Sequence, residues 1–308
     1  MTDFVSMTNV DGAITPTHEA RVPVLDRGFL YGDSIYEVFR TYQGVPLFYD
    51  EHWARFLNSA KLIHLEIDLT KDELTRRIRE TIAATGAARS RTDVYVRYTM
   101  TRGAGDIELY PKERLRPSCV IIVKAVPDWG AASYATGVRL AVPATRRNSG
   151  DALDPNIKGG NYLNNVLGVI EARALGADDC LMLDARGLVT EASNSNVFFV
   201  LDGELVTPSQ TARNLKGTTK AALFEACRAH GIDVHEREIA EDDLTRAEEC
   251  FLTSATREVM PVASIRLGDG REVRFPAGGG ERTRLAARLY REHVAGYVER
   301  HAASSFFR

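Results

Sequence analysis

The sequence has 308 residues, of which 42 are acidic and 39 basic, for a formal net charge of -3, and 44% are apolar and 26% charged. That ordinary globular mixture excludes disorder, collagen and coiled coil, and with no basic excess the electrostatic drive for nucleic-acid binding is missing. At about 150 residues per domain, the length predicts two domains.

Along the chain, Asp50 can cap a helix whose Trp53, Phe56, Leu57 and Ala60 fall at i, i+3, i+4 and i+7, a stripe expected to face a core. TKDELTRRIRETIAATG predicts a second helix, with Thr70 as its cap and Gly86 as its stop. Two strands follow, VYVRYTMT at 94–101 and CVIIVKAV at 119–126. PDWGAASYATG, residues 127–137, is rich in small residues and turn formers and reads as a linker. The expected division is a small N-terminal domain over 1–128, a linker over 129–137 and a larger domain over 138–308. The second part holds the strands GVRLAV, CLMLD, SNVFFV, GELVT and CFLTS and helices near 161–175, 217–230 and 281–299. Strands outnumber helices and do not alternate strictly with them, so the fold class is α+β and a doubly wound nucleotide fold is disfavoured.

Several signatures are missing: G-x-G-x-x-G after a strand, Walker A, H-E-x-x-H and G-x-S-x-G. Cys119, Cys180, Cys227 and Cys250 form no C-x-x-C pair and have no nearby His at ligand spacing, so they read as reduced, mostly buried thiols, with no metal expected. MTDFVSMTNVDGAIT has no basic or apolar leader region, and no apolar run approaches the ~20 residues of a membrane span, so a cytoplasmic protein without membrane contact is expected.

Chemistry concentrates in a few places. In NIKGGNYLNNVLGVIEAR, Asn161 stands where an N-cap belongs, and Leu163, Val166, Leu167 and Ile170 give a core stripe. Lys158 therefore lies on a Gly159–Gly160 hinge before a helix. Paired glycines permit close backbone approach to a ligand, and an amine withdrawn from water is a nucleophile. A solvated loop lysine is the alternative. In LKGTTKAALFEACRAHG, Gly217, Thr218 and Thr219 open a helix whose N–H groups, dipole and hydroxyls suit one phosphate, or simply cap it. TSAT, Thr253 to Thr256 with Ser254 and Ala255 between, follows the strand end CFL and offers the same chemistry. Glu191, before a run of small polar residues, suits a ligand nitrogen or a turn. Strand alternation puts Tyr95 and Arg97 on one face, a pair suited to gripping a carboxylate, and Tyr36, Val38 and Arg40 likewise share a face. A half-exposed strand face is the plain alternative for both.

Taken together, DRGFLYGDSIYEVFRTY (26–42), EHWARFLNSA (51–60), KGGNYL (158–163), VTEASNSNVF (189–198), LKGTTK (215–220) and FLTSATREVMPV (251–262) follow a recognisable order. Over about residues 8 to 290 the chain resembles the class IV pyridoxal-phosphate aminotransferases, the family of branched-chain and D-amino-acid aminotransferases and aminodeoxychorismate lyases. The resemblance implies a fold-type IV enzyme, with pyridoxal 5'-phosphate held between a small N-terminal α/β domain and a larger C-terminal domain of a homodimer. It implies that Lys158 bonds the cofactor covalently and serves as the catalytic residue, and that Glu191 pairs with the pyridine nitrogen. Arg55, Gly217, Thr218 and Thr219 would hold the phosphate, Tyr162 would contact the ring hydroxyl, and Leu215 would pack on the ring. Many relatives have a phosphate-binding Thr where this chain has Ala255, so Ser254 and Ala255 carry over as cofactor contacts with only a backbone role at Ala255. Tyr31, Tyr36, Val38, Arg40, Tyr95, Arg97 and Thr256 are the expected substrate contacts.

Among these relatives, KGGNY after the lysine resembles the branched-chain enzymes, whereas the lyases tend to carry His there. The loop TRGAGDIELYP has no Arg-x-His of the D-amino-acid type. Tyr31, Tyr95 and Arg97 match branched-chain positions, and an L-branched-chain amino acid with 2-oxoglutarate as acceptor, in a ping-pong cycle, is the expected reaction. YEVFR around Val38 resembles the D-amino-acid and (R)-amine enzymes instead, which remain the alternative, with the lyase and a non-catalytic phosphate-ligand binder behind them.

Overall fold

The computed structural model describes residues 4–111, 114–209 and 214–307. The chain forms two compact units, one of Met1–Pro127, Ile157–Asn161 and Gly296–Arg308, the other of Asp128–Asn156 and Tyr162–Ala295. They are interleaved in sequence, not contiguous as the linker reading has it, because the Lys158 segment and the chain's last residues complete the first unit.

The first unit contains β1 (Met7–Val10), β2 (Ala13–Pro16), α1 (Arg27–Tyr31), β3 (Ser34–Tyr42), β4 (Val45–Pro46), α2 (Tyr49–Leu62), α3 (Lys71–Thr85), α4 (Ala87–Ser90), β5 (Val94–Thr101) and β6 (Ser118–Ala125). Its six-stranded antiparallel sheet has the order β2-β1-β6-β5-β3-β4. One sheet face packs Ile35, Phe39, Val94, Val96, Tyr98, Ile121 and Val123 against Phe56, Ala60, Leu74, Ile78 and Ile82 of α2 and α3. Helix α3 begins and ends as its sequence predicts: Thr70 accepts a hydrogen bond from the Glu73 N–H, and Gly86 closes the helix at φ 81°.

Helix α2 departs from its prediction twice. It starts one residue before Asp50, capped by Phe48 at φ 51°; Phe48 is buried edge-on to Tyr297, ring centroids 4.9 Å apart, so packing sets the start. Its buried side is Tyr49, His52, Phe56, Ser59 and Ala60, and Leu57 is 43% exposed. The last residues close the same core, with the Phe306 ring 6.3 Å from Phe39 and 5.7 Å from Tyr49 and its N–H donating to the Gly44 carbonyl at 2.8 Å.

The second unit contains α5 (Gly130–Thr136), β7 (Val138–Ala141), α6 (Leu163–Ala174), β8 (Asp179–Leu183), β9 (Val189–Ala192), β10 (Asn196–Leu201), β11 (Glu204–Pro208), α7 (Thr218–Ala229), β12 (Val234–Arg237), β13 (Ala247–Ser254), β14 (Glu258–Arg266), β15 (Glu272–Arg274) and α8 (Glu281–Arg300). The last turn of α8, from Gly296, is counted with the first unit. The mixed nine-stranded sheet runs β12-β11-β10-β13-β14-β7-β8-β9, with β15 on β14. The expected linker is packed structure: its helix α5 is held by Trp129 Nε1 donating to the Thr256 carbonyl at 3.1 Å and the Tyr134 hydroxyl donating to the Arg257 carbonyl at 3.1 Å. All four cysteines are free and buried, and no described helix is long and apolar enough to cross a membrane.

Helix α6 starts at Leu163 with Tyr162, not Asn161, at the cap. Its predicted core stripe faces outward, Leu163 70%, Val166 47%, Leu167 44% and Ile170 59% exposed. The buried side is instead Asn165, Gly168 and Ala172. A Cβ on Gly168 would sit 3.1 Å from Cys180 Sγ and closer still to Met182, so the small residues let the helix lie flat on β8.

Candidate active site

In the first unit, the segment around Lys158 bridges the start of β3 antiparallel at Ile35 and Gly159: Tyr36 N–H donates to the Lys158 carbonyl at 2.9 Å and Gly160 N–H to the Ser34 carbonyl at 2.9 Å. The glycines serve this approach, because a Cβ on Gly160 would collide with Ser34 Oγ. The Lys158 N–H donates to Ser59 Oγ at 3.1 Å. The Lys158 amine donates to the Tyr36 hydroxyl at 3.4 Å and lies 4.5 Å from that ring's centroid. Arg97 Cζ stands 3.6 Å from the centroid of the same ring.

Sheet register gathers five of the expected substrate residues, Tyr36, Val38, Arg40, Tyr95 and Arg97, on one face, with Val38 opposite Arg97 and Arg40 opposite Tyr95. Arg40 Cζ lies 4.2 Å from the Tyr42 ring centroid, and burial raises the Tyr95 phenol above its ordinary value. Tyr31 ends α1, with Arg27 Cζ 4.9 Å from its ring.

On the helix-covered side lies a buried charged cluster. Alternation along β3 turns Glu37, between Ile35 and Phe39, into the core, where it is 0% exposed. Arg55 grips it with Nε to Oε1 at 2.6 Å and Nη2 to Oε2 at 2.7 Å, a bidentate pair, and His52 Nδ1 approaches Oε2 at 2.7 Å. Burial alone would raise the Glu37 carboxyl, but the Arg55 charge and hydrogen bonds, helped by His52, hold it well below the ordinary carboxylate range. Burial lowers His52, assisted by the cations Arg55 and Lys158 and opposed by Glu37. A neutral His52 thus donates its Nδ1 hydrogen to Glu37.

An unfolded His52 takes up a proton below its ordinary value of 6.5 that the folded one refuses, so folding stability falls as pH drops through 6.5. His52→Asn, which keeps a donor near the Nδ1 position, is expected to flatten the melting-temperature profile between the ordinary carboxyl value of 4.5 and 6.5. An unaltered slope in calorimetry would contradict this assignment.

In the second unit, Glu191 projects from the buried strand β9. Its Oε2 accepts from the Leu215 N–H at 3.1 Å and its Oε1 from Arg147 Nη2 at 3.0 Å. Gly217 caps α7, and a Cβ there would collide with Asn196 Oδ1, whose amide donates to the Leu215 carbonyl at 2.9 Å. Thr218 and Thr219 form the helix's first turn, where backbone N–H groups have no intrahelical acceptor. Ser254, Ala255 and Thr256 turn between β13 and β14, with Ser254 Oγ accepting from the Arg257 N–H at 3.3 Å. Tyr162 is half-buried at the start of α6.

Sequence reasoning missed Glu37, His52, Ser59, Arg147 and Asn165. The first three carried a signal: a carboxylate between two apolar residues of a strand face, and two polar residues on the Phe56 side of a helix. Arg147 and Asn165 carried none, because their partners lie far away in sequence.

Residues 34–265 match the class IV amino-transferase family. The chain is 35% identical over 264 residues to a putative branched-chain-amino-acid aminotransferase of Methanocaldococcus jannaschii, covering 86% of this chain and 88% of that one. Among solved structures it is similar to the branched-chain aminotransferase of Thermoproteus uzoniensis with norvaline, at 31% identity and TM-score 0.84 over 96% of each chain. It is also similar to an aminotransferase from Brucella abortus bound to its cofactor PLP, at 26% identity and TM-score 0.80 over 94% of this chain and 99% of that one. The lysine on its glycine-supported segment beside β3 and the carboxylate on β9 thus stand in a fold-type IV chain, and the protein belongs to the class IV aminotransferases, pyridoxal-phosphate-dependent enzymes.

Proposed function

We propose that this enzyme transfers the amino group of an L-branched-chain amino acid to 2-oxoglutarate by a ping-pong mechanism, as a homodimer in the cytoplasm. The observation that carries the reading is the Tyr36 ring with the Lys158 amine at its hydroxyl and Arg97 against its face. Each unit carries groups that fit pyridoxal phosphate: the first a primary amine for its aldehyde and the Arg55 guanidinium for its phosphate, the second a carboxylate for its pyridine nitrogen and the first turn of α7 for its phosphate. Bound there, the cofactor supplies an electron-withdrawing ring that takes up charge developing at the substrate's α-carbon.

Arg97 grips the substrate carboxylate and so fixes the α-carbon. Lys158 would hold the cofactor through its amine and, as a free amine, would take the substrate's α-proton as base and give it back as acid. The Tyr36 hydroxyl orients that amine. Glu191 would keep the ring nitrogen's proton in place, Leu215 would pack on the ring, and Tyr162 would bind its hydroxyl. Gly217, Thr218, Thr219, Ser254 and Ala255 serve the phosphate, and Thr256 and Tyr31 the substrate. Val38, opposite Arg97, offers an apolar wall to a branched side chain, and Arg40 on the same face suits the second carboxylate of 2-oxoglutarate. The outward apolar stripe of α6 supports the dimer, since such a face is ordinarily covered.

The test mixes purified holoprotein with L-leucine, D-alanine, (R)-1-phenylethylamine and aminodeoxychorismate in turn and follows cofactor absorbance in a single turnover. Fast conversion by L-leucine, reversed by 2-oxoglutarate, is expected. Conversion only by D-alanine or the amine would replace this reading with the D-amino-acid or (R)-amine one, to which Val38 in YEVFR already points.

A further inference from the structure

We propose that Arg147 is a positioning residue for the cofactor's ring nitrogen, acting through Glu191: it fixes the carboxylate's orientation and, as an adjacent cation, keeps the shared proton on the ring. The inference rests on the proposed pairing of Glu191 with that nitrogen.

Both oxygens of Glu191 are engaged, Oε1 by Arg147 Nη2 at 3.0 Å and Oε2 by the Leu215 N–H at 3.1 Å, so the carboxylate cannot rotate without losing a bond. Arg147 is itself held from two directions. Its Nη1 donates to Asn165 Oδ1 at 3.2 Å, and the Asn165 amide donates to the Ser193 carbonyl at 2.7 Å, two residues beyond Glu191. Its backbone N–H donates to the Leu183 carbonyl at 2.8 Å, at the end of β8. The side chains of Arg147 and Glu191 are 15% and 8% exposed, so their attraction is little screened by water.

Stability is a poor explanation for this pair. Buried ion pairs seldom outperform apolar packing, and here the Arg147 Nε is buried with no hydrogen-bond acceptor among the described residues, a desolvation cost left unrecovered. Electrostatics gives a better one. A carboxylate facing a pyridine nitrogen shares one proton with it, and in a dry site the neutral arrangement, acid beside uncharged ring, competes. A cation on the far side of the carboxylate opposes that transfer, and the ring stays an electron sink.

The experiment reads the proton directly. Wild type, Arg147→Met, Arg147→Lys and Glu191→Gln holoenzymes are reconstituted with cofactor carrying heavy nitrogen in the ring, and the ring nitrogen's NMR shift is recorded alongside cofactor affinity by equilibrium dialysis. The wild-type signal is expected at the protonated position, with Arg147→Met moved toward the neutral one and its dissociation constant raised roughly 10- to 100-fold, the loss seen when a ligand's supporting partner is removed at metal sites. Arg147→Lys, which keeps the charge but not the two-pronged grip, is expected to restore the protonated signal in part, and it carries the test if Arg147→Met retains no cofactor. A wild-type signal in Arg147→Met while Glu191→Gln is shifted would overturn the proposal and leave the Glu191 reading standing. No shift in Glu191→Gln would overturn both.

Discussion

Lys158→Ala is expected to lower kcat/KM for transamination by about 10⁴-fold or more, because one amine serves as both the covalent anchor and the proton carrier. The fold should survive. Alanine keeps the backbone bonds of Lys158, its carbonyl accepting from Tyr36 and its N–H donating to Ser59, and loses only the amine's long 3.4 Å bond to the Tyr36 hydroxyl and its place over that ring. A melting temperature near that of wild type together with lost turnover is the expected pair of results. Retained turnover in Lys158→Ala would remove the lysine from the chemistry altogether.

Glu37→Ala is expected to cost about 3–5 kcal/mol of folding stability, the penalty for stranding a buried partner of an ion pair. Arg55 would lose both of its bidentate contacts and His52 the Glu37 acceptor, around a carboxylate that is 0% exposed. Because Arg55 is the proposed phosphate ligand, its loosening should also weaken cofactor binding. Denaturant titration of the apoprotein reads the first effect and dialysis of the holoprotein the second. A stability loss under 1 kcal/mol would mean that Arg55 finds another acceptor.

How far these features could be read in advance depends on how local their causes are. The ends of α3 were legible because Thr70 and Gly86 act on neighbours in the chain, and so was the alternation of β5, whose inward Val94, Val96 and Tyr98 are all 0% exposed. The stripe on α6 was legible as a stripe, but periodicity says that a face is apolar, not what will cover it. Gly168 and Ala172 decided the packing, since small residues allow the close approach to β8. Lys158 and Glu191 could be singled out because motifs carry them. Arg147 could not, being 44 residues from Glu191, and only the fold puts the two side by side.

The return of the chain's last residues to the first unit has a consequence for biosynthesis. Strands β1 to β6 emerge from the ribosome first, yet the space between Phe39 and Tyr49 that Phe306 fills stays open until the whole second unit has been made. At about 5–20 residues per second that interval is roughly 10 to 35 s. Throughout it the nascent sheet has an incomplete aromatic core around Phe39, a surface suited to chaperone binding, so the unit translated first is the one that reaches its final packing late.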